Sequence, residues 1–111
     1  ALNLMNDVTY VEAARRIAER MMIEGGVTPE KRISYAHRLA TAHGLRPDAQ
    51  IVLVDGFHYY LARYQSDRAA ALELISVGES PRNETLDVAE LASYTMVANL
   101  ILNLDGTITK E

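Results

Sequence analysis

Cysteine is absent from this chain. Its absence removes disulfides, thiol nucleophiles and Cys-ligated zinc or iron–sulfur sites, and it excludes covalent haem, which needs Cys-x-x-Cys-His. It does not settle the compartment. Positive charge is also scarce: 11 Lys and Arg face 15 Asp and Glu, for a net charge of −4. The cations are scattered, so no basic stripe is offered to a nucleic-acid backbone, and no nucleic-acid partner is expected. No run reaches the ~18 apolar residues of a membrane span. No signal peptide is visible, and the chain begins with Ala1 rather than Met, as a piece excised from a larger protein would.

What is present is an ordinary globular composition. With 111 residues, 49% hydrophobic and 23% charged, the chain is expected to form a single domain over residues 1–111 with one core. Five segments read as helices. The first runs from about Val8 to Glu24, with Asp7 as its N-cap and Gly25-Gly26 as its stop. Val11, Ala14, Ile17, Ala18 and Met21 share one face. Glu12 with Arg16, Arg15 with Glu19, and Arg20 with Glu24 read as i,i+4 charge pairs on the outer side. The second helix runs from Pro29, after Thr28, to His43, with Gly44 ending it.

The third segment, Pro47 to about Gln65, carries two signals. "IVLVDGFHYY" has the form of a hairpin, two β-prone runs around Asp55-Gly56. Leu53, Phe57, Leu61 and Tyr64, however, recur at helical spacing, and a hairpin with no third strand is marginal. The spacing predicts a helix, with Gly56 weakening it by about 1 kcal/mol relative to Ala. The fourth helix is short: Asp67 caps "RAAALELISV" and Gly78 ends it. The fifth begins at Asp87 and Glu90, a capping-box pair, with Leu86 and Leu91 placed for a hydrophobic staple, and continues to about Leu104. Its apolar residues cover most of its circumference, which predicts the most buried element of the bundle.

Several stretches invite a chemical reading. Asp105-Gly106-Thr107 after an apolar run resembles the loop of aspartyl-phosphate phosphatases. The carboxylate nucleophile required two residues earlier is replaced by Asn103, a helix stands where a strand is needed, and a short tail past the helix is expected instead. Gly78-Glu79-Ser80 is half of a nucleophile elbow, but Arg82 occupies the second glycine position and Pro81 intervenes. Asn83-Glu84-Thr85 fits the glycosylation pattern. His37 and His43 are six apart and cannot share a metal as an i,i+4 pair does. His58, beside Tyr59 and Tyr60, is expected to pack as an amphipathic aromatic, and Met21 and Met22 as core filler. No catalytic, cofactor-binding or metal-ligating residue is therefore expected. A small-molecule site, if present, falls in the connector of residues 78–86, where Glu79, Ser80 and Arg82 would project from a rigid base.

Taken together, "ALNLMNDVTYVEAARRIAER", "RISYAHRL", "LISVGES" and "ELASYTMVANLILNLDGTITKE" resemble the C-terminal domain of a planctomycete-type family of large exported proteins of unknown function, often with a cytochrome-c-like module near the N-terminus. The resemblance covers nearly the whole chain. Departures from its pattern are Val8 for a common Pro, His37 for Phe, His43 for Arg, Tyr94 for a frequent Trp, and Gly106 for Glu. No catalytic residue is carried over. The resemblance implies an exported parent whose haem, where present, is held outside this chain. The expectation is an all-α, five-helix bundle: a C-terminal structural or interaction module that packs against upstream domains of the same polypeptide. The alternative is that the 78–86 connector contributes ligand- or sugar-binding groups to a site shared with the rest of the parent.

Overall fold

A computed structural model describes residues 8–40 and 44–109, with side chains described as far as Asn103. Five helices follow one another: α1 (Val8–Glu24), α2 (Pro29–Ala40), α3 (Pro47–Ser66), α4 (Arg68–Ile75) and α5 (Val88–Thr109). No strand occurs among the described residues, and none of the helices is long and apolar enough to cross a membrane. The expected Asp7 cap, His43, the opening "ALNLM" and the burial of Leu104 lie outside what is described.

Each helix starts or stops for a local reason. α1 ends where Gly25 N–H bonds Met21 O at 3.0 Å, and Gly26 turns the chain at a φ of 100°. A side chain at Gly25 would meet Met21 O at 2.6 Å, so only glycine fits there. α2 is capped by Thr28, whose Oγ1 accepts from Lys31 N–H at 3.2 Å. The α3 region is one continuous helix, not a hairpin. Leu53, Phe57 and Tyr64 are all buried on its inner side, and that single apolar stripe outweighs the local turn preference of Asp55-Gly56. Asp67 caps α4 through Ala70 N–H at 3.1 Å. α4 ends at Ile75, ahead of the expected Gly78, because Val77 N–H turns back to Leu74 O at 3.4 Å and tightens the last turn.

α5 opens as expected on one side of its capping box. Asp87 Oδ2 accepts from Glu90 N–H at 2.9 Å, while the Glu90 carboxylate faces Arg32 at 3.8 Å. Leu86 is half-buried against the core cluster that contains Leu91. The expected end near Leu104 is corrected: the helix runs to Thr109 and takes in Asp105-Gly106-Thr107. A lone glycine weakens a helix by about 1 kcal/mol without ending it, and no proline follows to stop it.

α5 is the centre of the molecule. It packs against α1, α2, α3 and α4. Leu91, Ala92, Tyr94, Val97, Ala98 and Ile101 are all buried, together with the polar Ser93, Thr95 and Asn99. Those polar groups are satisfied within the helix: Ser93 Oγ donates to Ala89 O and Thr95 Oγ1 to Leu91 O, each at 2.7 Å. Around α5 the core is completed by Ala14, Ala18 and Met21, by Ile33 and Ala36, by Leu53 and Phe57, and by Ala71 and Ile75. Met21 is thus core filler, and Met22 is partly buried against the same cluster.

Candidate functional site

The connector between α4 and α5 is the one long non-helical stretch of the described chain, and α1 holds it in place. Glu12, Arg15 and Glu19 stand on one side of α1 at i, i+3 and i+7 spacing. Arg15 is 1% exposed. Its Nη2 donates to Ser80 O at 2.8 Å, and its Nη1 donates to Pro81 O at 3.2 Å and to Glu19 Oε2 at 2.9 Å. Glu12 and Glu19 complete the strap: their Oε2 atoms accept from Ser80 N–H and Asn83 N–H, each at 2.8 Å. Gly78 makes the approach possible. It sits at a φ of 95°, and a Cβ there would come within 2.5 Å of the Glu12 carboxyl. Asn83 Oδ1 then accepts from Thr85 N–H at 2.9 Å and closes a local turn before Asp87.

This geometry corrects the charge ladder read on α1. Arg15 is not on the outer side but buried beneath the connector, and Glu12 reaches Arg15 at 3.9 Å, whereas Arg16 is exposed. Only Arg20–Glu24, at 3.4 Å, is a solvated pair of the expected kind. The physical reason is closure from a distance. The backbone groups of residues 80–83 need partners, and they take them from carboxylates that the local pattern had assigned to water.

The connector is tied to α1 at Ser80, Pro81 and Asn83, so its backbone polar groups largely serve the strap. Both backbone groups of Ser80 are engaged, and hydrogen bonds from Ser80, side chain first and backbone second, hold the Glu12 carboxyl below its usual pKa, with the Arg15 charge adding to the effect. Glu12 thus serves the strap as the acceptor for the Ser80 N–H. Glu79 is exposed and Arg82 half-buried. Glu79 and Ser80 join Thr9, Glu12 and Arg16 along an open groove of about 520 Å³ between the start of α1 and the connector.

A second open groove of about 480 Å³ runs where the end of α1, the outer side of α2 and the start of α3 meet. The Tyr35 hydroxyl donates to Glu24 there, which lowers the Glu24 pKa and raises that of Tyr35. Gln50 Nε2 spans from α3 to Glu30 O at 3.2 Å and to Ser34 Oγ at 3.1 Å. Tyr35 with Glu24, and Gln50 with Glu30 and Ser34, tie the three helices together along the groove. Among the described residues no three His, Asp or Glu side chains converge as a metal cage would. His58 is exposed, with its ring edge-on to Phe57 at 5.3 Å, so it flanks the core rather than packing into it.

Sequence reasoning missed a second organising arginine. Arg32 Nε donates to Gly26 O at 3.0 Å, its Nη2 to Met22 O and its Nη1 to the Tyr94 hydroxyl, both at 3.4 Å. Its guanidinium lies over the Tyr94 ring at 5.4 Å, and that ring stacks on Phe57 at 4.2 Å. One side chain thereby closes the C-terminal end of α1 and links it to α3 and α5. Its i,i+3 neighbours on α2 carry no trace of this. No family model matches the chain, and no curated protein or solved structure is significantly similar to it.

Proposed function

We propose that this domain is a non-catalytic structural and interaction module that packs against upstream domains of a larger, exported polypeptide. One observation carries the reading. Ile51, Val52 and Tyr59 on the outer side of α3 are 63%, 68% and 61% exposed, although the inner side of the same helix already supplies its share of the core. Exposing three large apolar side chains on adjoining turns contributes nothing to the isolated fold and fits a surface that another element covers. The tethered connector supports the same reading, since its groups are spent on holding the bundle. To test it, the upstream region of the parent polypeptide is supplied as a separate chain and titrated with the domain. Val52→Glu is expected to leave the melting temperature within about 2 °C, as for an exposed position, and to weaken association. Unchanged association would overturn the reading.

The groove beside the connector favours a second reading, in which Arg16, Glu79 and Ser80 contribute ligand- or sugar-binding groups to a site completed by the rest of the parent. Chemical shifts of the Arg16 and Glu79 amides that move on addition of a soluble oligosaccharide, in the presence of the upstream region, would favour it over the first.

A further inference from the structure

The outward side of α3 has a charge pattern as well as an apolar one. At about 100° per residue, Ile51, Asp55, Tyr59 and Val52 fall in that angular order within an arc of about 100°, spread over about 12 Å of helix. Asp55 is exposed and lies inside this arc, flanked by the three exposed apolar side chains. It forms no ion pair among the described residues, and the acid one turn before the patch, Asp48, is already paired with Arg46 at 3.0 Å. Covering this face therefore removes water from a carboxylate that the bundle itself does not compensate. Such burial is unfavourable unless the covering surface brings a cation.

Building on the interaction-module reading, we infer that the occupant of this face is an amphipathic helix that sets apolar side chains against Ile51, Val52 and Tyr59 and a Lys or Arg against Asp55. A helix suits the site because its own apolar ridge can pack along the row of exposed side chains on α3. A second copy of this chain suits it badly. A two-fold contact centred on the patch would place Asp55 beside its own symmetry mate, like charge against like charge. An anionic lipid surface is disfavoured by the same carboxylate.

The test uses a displayed library of peptides on a fixed helical scaffold, randomised on one face and selected against the intact domain. Selected peptides are expected to carry apolar residues at i, i+4 and i+7 with a Lys or Arg between them. Exchanging that cation for Glu should weaken binding roughly tenfold, while Asp55→Lys in the domain should reverse the preference. Asp55→Asn serves as a milder variant and should narrow the difference without reversing it. Val52→Asp should abolish binding of either peptide. Peptides that bind the face, lost with Val52→Asp, but that ignore Asp55→Lys would overturn the charge selection and leave the interaction module standing. Selection of no peptide, binding indifferent to Val52→Asp, or self-association in sedimentation velocity that Val52→Asp abolishes would each overturn the proposed occupant. The wider reading fails separately, if Val52→Glu spares association with the upstream region.

Discussion

Arg15 is a fully buried cation with two carboxylates and two carbonyls around it, and its Nε has no hydrogen-bond partner among the described residues. Removing one side of such a cluster strands the rest. Arg15→Ala is therefore expected to destabilise the domain by about 3 kcal/mol, read as a lower denaturant midpoint. Amide exchange at Ser80 and Asn83 should accelerate in the same variant, and a midpoint close to wild type would mean that the strap bears no load. The cluster also has a pH signature. The folded-state pKa of Glu12 lies below its ordinary value, so its contribution is complete above the unfolded value and is lost as pH falls through the lower, folded one. Connector amides should lose protection as pH drops below the ordinary glutamate range. Glu12→Gln should remove most of that dependence. A connector whose protection is flat down to acid unfolding would contradict the assignment.

At the level of single helices, α3 shows how two local signals were decided. Gly56 was the stronger mark of a turn, yet it sits inside the helix with no atom within 4 Å of where its Cβ would be. It is a weakness that nothing in the fold requires. Gly56→Ala is expected to stabilise the domain by about 0.5–1 kcal/mol, seen as a higher melting temperature. A loss of stability would show that the backbone there needs glycine after all. The start of α5 is the opposite case, a cap that the fold uses. Asp87→Ala should cost about 1 kcal/mol, in the usual range for an N-cap, and an unchanged denaturant midpoint would refute it. These elements were legible because their causes are local: Leu53, Phe57 and Tyr64 repeat with the helix period, and Asp87 stands three residues from the N–H that it accepts. Arg15 and Arg32 were illegible for the converse reason. Each is one more charged residue on an amphipathic helix until a segment more than fifty positions away arrives to bury it.

For the whole molecule, the dominant fact is that α1 to α4 are arranged around the last helix in chain order. A chain ending before Asp87 retains four amphipathic helices and loses the element they all bury. It is expected to show residual helicity by circular dichroism but no cooperative melt, and a sharp transition in that fragment would mean that the first four helices form a core of their own. The bundle class itself was readable from periodicity, whereas the function was not, since no sequence motif marks either groove and the exposed side of α3 names no partner on its own. The position of α5 also bears on synthesis. At roughly 5–20 residues per second, the first four helices leave the ribosome and wait for seconds with their apolar faces uncovered until the central helix follows. During that interval the nascent chain exposes apolar surface of the kind that chaperones bind.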